Sequence, residues 1–388
     1  MKMRVLAVLS ALTLVTLAGC KENQPAPAQK EPEAVAKVEE QKPAAPDAST
    51  PSAQGVASPD CVGPIETGVP ETVSIAGRTF ERNGYRLKLM GDAPEGGAEV
   101  KIGVLASLNE ATADNLFNVG RYLSFFKESG AEMIVVAGDS GEDRGAIEAV
   151  LEPVAKAGLP VLVIAGNRER TTDYTDAVNA LAKTYPNVIN GNRVRYVDLH
   201  GADLVTLPGY HDPVYIHQEK GHGCQYFRKD ASAVARLAGE ANDPVVLVAH
   251  GQPKGETPEA LDVIAPDKEH IGDSNLNAAI ETGKIPFGIF ANVKEAGTRA
   301  IADLAGKTVL AEKTPSETLY LNPGAADSVE WTMNDGTTST GAAAMLTVKD
   351  GKASYAIYRA AKLTDAEKAQ AAKLVPAAKP AAVQADAE

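Results

Sequence analysis

From residue 99 onward, short apolar runs ending in small or polar residues alternate with stretches whose apolar positions recur at helical spacing. Residues 100–105 form the first run, and Leu116, Val119, Leu123 and Phe126 then share one face of a predicted helix. Runs at 133–136 and 161–164 enclose a second helix, with Ile147, Val150, Leu151 and Val154 on its face, so two β-α-β units stand in series. The pattern predicts later strands at 195–199, 204–206, 245–249, 287–290 and 319–321, and helices near 176–183, 232–237 and 275–280. Several strands are almost continuously apolar, which requires cover on both faces by helices or by a second sheet. Residues 343–348 and 354–358 flank Asp350-Gly351, the turn signal of a closing hairpin. Ahead of this body, 73–90 alternates in β fashion through Tyr85-Arg86-Leu87-Lys88-Leu89, with no role that the pattern assigns.

The two ends follow other rules. Lys2 and Arg4 precede an apolar stretch at 5–17 that is too short to span a bilayer comfortably and has the layout of an export signal. Leu17-Ala18-Gly19-Cys20 resembles the bacterial lipobox, whose small residues admit a signal peptidase to the bond before a lipid-bearing cysteine. The resemblance implies a signal peptide at 1–19 and an acylated (palmitate-type) Cys20 that holds the chain to the lipid bilayer on the periplasmic face of an envelope. Lys21 leans the address towards the outer membrane. Residues 20–60 are rich in Pro, Ala, Glu and Lys and hold no aromatic and no Leu, too little apolar surface to order themselves, and they read as a tether. The expected layout continues with a short β-rich segment at 61–98, the main body at 99–362 and an Ala/Lys/Pro-rich tail at 363–388.

Charge and cysteine content narrow the function. The chain carries 38 Lys+Arg against 51 Asp+Glu, a formal charge of −13 that falls to −15 once Lys2 and Arg4 are cleaved away. Such a balance excludes a broad nucleic-acid or anionic-membrane surface. With Cys20 lipidated, Cys61 and Cys224 are the thiols left in an oxidising compartment, and a disulfide between them is the expectation; two buried free cysteines are the alternative. The Gly-rich pieces at 91–97 and 336–341 lack a following Lys-Ser/Thr and read as turns, not phosphate cradles.

Candidate chemistry collects where the strands end. After successive predicted strands come Ala106-Ser107-Leu108-Asn109, Gly138-Asp139, Gly166-Asn167-Arg168-Glu169, Ala249-His250-Gly251, Phe290-Ala291-Asn292-Val293-Lys294 and Asn322-Pro323-Gly324. In order and spacing this resembles the calcineurin-like metallophosphoesterase family, whose blocks are Asp-x-His, Gly-Asp, Gly-Asn-His, a lone His and Gly-His-x-His. The resemblance spans roughly 99–360. It implies a four-layer α/β sandwich of two mixed β-sheets flanked by helices, and a site where two divalent ions grip a phosphate ester and generate a hydroxide. Three ligand positions match: Asp139, Asn167 and His250. Ser107 and Asn109 replace the first Asp and His, Asn292 and Lys294 replace the last two His, and Arg168 stands at the general-acid position.

A set with one carboxylate, one imidazole and neutral amides is too poor to hold two divalent ions, so no cofactor is expected and one divalent metal is the most that fits. The reading is therefore a membrane-anchored pseudoenzyme of hydrolase fold, in which Arg168, Lys294, Asn292 and Asn109 bind a phosphate-containing or other anionic ligand. No nucleic acid is expected, and the sequence names no protein partner. One alternative is an active phosphoesterase with a site rebuilt from Asp139, His250 and the loop residues His211, Asp212, His217, Glu219 and His222. Another is a periplasmic solute-binding protein, suggested by Lys101-Ile102-Gly103-Val104-Leu105 leading into a helix. Blander readings stand beside these: Asp139 as a helix N-cap, His250 as a core-edge histidine, and His200 and His270 as surface residues.

Overall fold

A computed structural model of the 388-residue chain describes residues 60–92 and 98–374. The expected signal peptide, Cys20, all of the expected tether except residue 60, and the tail beyond residue 374 lie outside the described residues.

The body opens with a meander, β1 (Glu71–Ile75), β2 (Arg78–Asn83) and β3 (Arg86–Leu89). Strand-helix alternation follows: β4 (Glu99–Leu105), α1 (Ala113–Ser129), β5 (Met133–Ala137), α2 (Arg144–Ala155), β6 (Val161–Ile164), α3 (Thr171–Thr184) and β7 (Val188–Asn190). Next come β8 (Tyr196–Leu199), β9 (Ala202–Leu207), α4 (Arg228–Ala238), β10 (Val245–Ala249), α5 (Ser274–Gly283) and β11 (Phe287–Ile289). The chain closes with β12 (Arg299–Ile301), β13 (Val309–Leu310), β14 (Leu319–Asn322), β15 (Trp331–Thr332), β16 (Thr338–Ser339), β17 (Ala342–Lys349), β18 (Lys352–Arg359) and α6 (Asp365–Ala371).

Two mixed sheets carry the fold. One is ten-stranded, in the order β1-β2-β3-β8-β9-β10-β11-β14-β12-β13, and the other six-stranded, β18-β17-β4-β5-β6-β7. Strands β4 to β7 are mutually parallel, as are β9, β10, β11 and β14, whereas β17 and β18 pair antiparallel. The two-residue period of each strand explains the layers. On β5, Met133, Val135 and Ala137 enter the core between the sheets, while Ile134 and Val136 face helices. On β10, Val246 and Val248 point inward and Val245 and Leu247 outward. The outward residues meet helix faces such as Val119 and Phe126 of α1, Val150 of α2, Val178 of α3, Val234 of α4 and Ile280 of α5. The result is helices, sheet, sheet, helices, the four-layer α/β sandwich. The core between the sheets is shared by both of them, so the two-lobed alternative has no counterpart among the described residues.

Local signals set the helix ends. Thr112 accepts the Asn115 N–H at the start of α1, Gly130 closes it at φ 74°, and Asp143 caps α2. Some elements depart from expectation. The 73–90 segment joins the large sheet, because β3 pairs in parallel with β8. A third β-α-β crossover exists, since α3 begins at Thr171 instead of 176 and leads to the short strand β7. Strands as brief as β7, β12 and β13 leave too little periodicity to read. Helix α6 packs on α1, where Arg121 pairs with Glu367.

Candidate functional site

The parallel strands deliver their carboxyl ends to one rim, where loops after β4, β5, β6, β10 and β11 meet. Four residues on these loops hold left-handed backbones without being glycine: Ser107 (φ 50°), Asn109 (60°), Asp139 (58°) and Asn292 (50°). Each such conformation carries a cost on the order of 1 kcal/mol, and their gathering at one rim marks a place where side-chain direction matters more than local stability. The glycines are equally constrained: a Cβ on Gly138 would collide with the His250 ring, and one on Gly166 with the Asp139 carboxylate.

Asp139 is the hub and is fully buried. Its Oδ1 accepts the N–H groups of Asn167 and Arg168, both at 3.2 Å, and lies 3.3 Å from His250 Nε2. Its Oδ2 has no hydrogen-bond partner and sits 3.8 Å from Lys294 Nζ. Burial opposes the charge on Asp139, yet His250, Lys294, Arg168 and the Arg168 N–H together outweigh it and hold the carboxyl below the usual aspartate range. The N-cap role foreseen for Asp139 is not what it does: Asp143 caps α2, and Asp139 binds the 166–168 turn instead.

His250 is fully buried, with Nδ1 2.8 Å from the Ala137 carbonyl oxygen and Nε2 3.0 Å from Asn167 Oδ1. Asn167 Nδ2 is committed to the Tyr215 carbonyl, which fixes which amide atom faces the imidazole. A neutral imidazole has one N–H, so if it serves Ala137 the Nε2 lone pair confronts two oxygen acceptors. Burial lowers the His250 pKa, and the charge of Asp139 pulls it back up.

Lys294 completes the group. Its ammonium lies 3.4 Å from the Asn292 carbonyl and 5.4 Å from the centroid of the Trp331 ring, with the side chain 13% exposed. Asn109 donates through Nδ2 to Asp327, whose other oxygen accepts the Trp331 Nε1–H at 3.1 Å. Burial raises the Asp327 pKa. The Arg168 guanidinium pairs with Glu142 at 2.6 Å. Beneath the rim, Glu169 takes the N–H groups of Ser140 and Gly166, and burial, then the charge of Asp139, push its pKa up to about 8.

Asp139, Asn167, His250, Asn292 and Lys294 thus share one site, with Arg168 beside it and Asn109 joined through Asp327 and Trp331. Ser107 contributes backbone, donating its N–H to the Gly138 carbonyl at 3.0 Å. The loop histidines do not converge. His211 packs between Tyr210 and Tyr226, His222 is exposed, and His217 lines a cavity next to Asn167. Among the described residues no group of three or more His, Cys, Asp or Glu is placed to hold a metal. His270, expected at the surface, is bonded at 2.9 Å to the buried Asp262, because its loop folds back on residues 262–264. Asp327, Trp331 and Glu169 were not foreseen as site residues; the nearest signal is the closeness of Asp327 and Trp331 to Asn322-Pro323-Gly324 in the sequence. Cys61 and Cys224 form a disulfide, both fully buried, and the Cys224 carbonyl accepts the Tyr210 N–H, so the bridge holds the start of the body against the loop lining the cavity.

No protein-family model and no curated protein sequence matches the chain. Among solved structures it is similar to a dimetal phosphatase from Danio rerio, at 12% identity over 68% of this chain and 99% of that one, with a TM-score of 0.41. It is similar also to the purple acid phosphatase PPD1 from yellow lupin (Lupinus luteus) seeds, at 12% identity over 70% of this chain and 53% of that one, TM-score 0.41. A third is GAP50, the anchor in the inner membrane complex of Plasmodium, at 10% identity over 72% and 96%, TM-score 0.42.

Proposed function

We propose that this protein is a phosphoesterase-like lipoprotein that has exchanged hydrolysis for binding, holding a phosphate-type anion at the strand-end rim while Cys20 tethers it to the periplasmic face of an envelope. The observation that carries the reading is the Lys294 ammonium, 3.8 Å from the buried Asp139 carboxylate and 3.4 Å from the Asn292 carbonyl. An ammonium attracts and hydrogen-bonds a phosphate oxygen, but it does not bring a bound water near neutral pKa as a divalent ion does. Arg168 adds a planar donor set, with its Nε free of any hydrogen-bond partner. Titration with inorganic phosphate, followed by the emission of Trp331 beside Lys294, tests the reading. A saturable change that Arg168→Ala removes supports it; an emission that never saturates sinks it.

A second reading is favoured by one observation. His250 Nε2, Asn167 Oδ1 and Asp139 Oδ1 are three acceptors separated by 3.0 and 3.3 Å with no donor between them when the imidazole is neutral. They fit a single divalent ion, and Asp139 Oδ2 remains with Lys294. Such an ion, when bound, supplies a Lewis acid for a phosphoryl oxygen. Calorimetric titration with Mn2+ separates the readings: one bound ion per chain that His250→Ala abolishes supports the second, and a concurrent rise in phosphodiester hydrolysis would replace the first.

A further inference from the structure

The two sheets do not close on each other along every edge. β1 ends the ten-stranded sheet and β7 ends the six-stranded one, and both line a single cleft of about 480 Å³. That volume lies in the lower half of the roughly 300–1,000 Å³ typical of small-molecule sites. Val73, Ile75, Leu87, Val188, Ile189 and Val194 supply its apolar surface. Ile75, Leu87, Ile189 and Val194 belong to the core between the sheets; Ile75 keeps 7% exposure and Ile189 5%, where Val197 and Leu204 of the same core keep none. The cleft is therefore a place where that core opens to water. It shares no residue with the Asp139–His250–Lys294 group.

Charge at the cleft is one-sided. Arg82 of β2 and Arg193, just beyond β7, line it, and no acidic residue does, in a chain of net charge −13. Both arginine side chains are half-exposed, so they stand where the cleft meets solvent. Their acidic partners lie outside the lining: Glu71 at 3.9 Å from Arg82 and Asp60 at 2.8 Å from Arg193. Pairs this exposed contribute little, so an incoming anion can share or replace either one at small cost. Ser74 and Asn179, exposed at the same cleft, add a hydroxyl and an amide donor.

We infer that this cleft binds a medium-chain aliphatic carboxylate, its head group on Arg82 and Arg193 and its alkyl chain laid over Ile75, Leu87, Ile189 and Val194. A guanidinium fork matches a planar carboxylate through two parallel hydrogen bonds, which gives the head group its place. The alkyl chain covers core side chains that otherwise touch water, and each buried methylene tightens binding about fourfold. A neutral amphiphile leaves the two cations without a counterpart, and a cationic one is repelled by them. The site stands apart from the anion reading of the rim, and neither depends on the other.

The test uses the full-length chain carrying Cys20→Ser, so that no detergent competes for the cleft, and calorimetric titration with octanoate, butyrate and octylamine. Octanoate is expected to saturate one site per chain and to bind at least tenfold more tightly than butyrate, while octylamine does not saturate. The double variant Arg82→Ala/Arg193→Ala is expected to weaken octanoate by about tenfold or more. Val73→Asp, on the edge strand β1, is expected to abolish octanoate binding by placing a like charge beside the head group. Thermal unfolding checks that each variant is folded, and if one is not, the other makes the comparison. Equal affinities for octanoate and butyrate reduce the site to surface ion pairing and overturn the inference. So do octylamine binding as tightly as octanoate, octanoate affinity unchanged in a folded variant, or failure of octanoate to saturate.

Discussion

At Asp139 the protein keeps a carboxylate in a place where burial alone would neutralise it, and Lys294 is the nearest compensating cation. Lys294→Met leaves that charge and the Asp327 carboxylate less compensated, and is expected to cost about 3 kcal/mol in denaturant unfolding. Glu169 gives the site a pH signature of opposite sign to Asp139. Its folded pKa of about 8 lies above the ordinary 4.5, so its contribution is fully present below about pH 4.5 and is lost as the pH rises through 8. Asp139, with its pKa lowered, contributes above its unfolded value and is lost as the pH falls through the folded one. Glu169→Gln should flatten the decline of stability between about pH 4.5 and 8 while lowering stability at pH 5, because an amide nitrogen would oppose one of the N–H groups of Ser140 or Gly166. An unchanged slope across that window would remove Glu169 as its source. Most of this was legible as residue types: Asp139, Asn167, His250, Arg168 and Lys294 stand in the sequence at strand ends. Asp327 was not, because its partner Asn109 is 218 residues away and no local pattern joins them.

The loops that carry these residues are held by elements with little tolerance. Gly138 combines φ 94° with contact against His250, so Gly138→Ala is expected to cost upwards of 2 kcal/mol and to disturb ligand titrations, whereas the same change at Gly351 (φ 72°), with open space around it, should cost about 1 kcal/mol. The Cys61–Cys224 bridge spans 163 residues and pins the 209–226 loop that lines the cavity. Cys224→Ser should lower stability by about 3–5 kcal/mol, read as a shift in thermal midpoint. Mild reductant on the folded protein should have little effect, since both sulfur atoms are fully buried. Helices α1, α2, α4 and α5 were visible from apolar spacing, but the start of α3 was not. Thr171 and Thr175 are buried there under tertiary cover, whereas a sequence pattern counts them as polar.

At the scale of the whole molecule, α6 is the last described element and is held against α1. Leu363 and Ala371 are buried, and Glu367, its pKa lowered to about 2 by the bonds to Thr364 and Arg121, ties the helix to α1. Truncation after residue 362 should lower the unfolding free energy by about 1–2 kcal/mol relative to truncation after 374, since it strips the buried Leu363 and Ala371 from α1. Cys20→Ser should move the protein from the membrane to the soluble fraction if acylation is the anchor. The sequence by itself determined the alternation of strands and helices, the double-sided burial of the strands and the residue types at the strand ends, because each is written in neighbours within a few positions. Only the tertiary structure decided that β1–β3 extend the large sheet, that Lys294 meets Asp139 and Trp331, that the loop histidines stay apart, and that β1 and β7 border one cleft. Those are contacts between residues tens to hundreds of positions apart, and they exist only once both sheets have closed on their shared core.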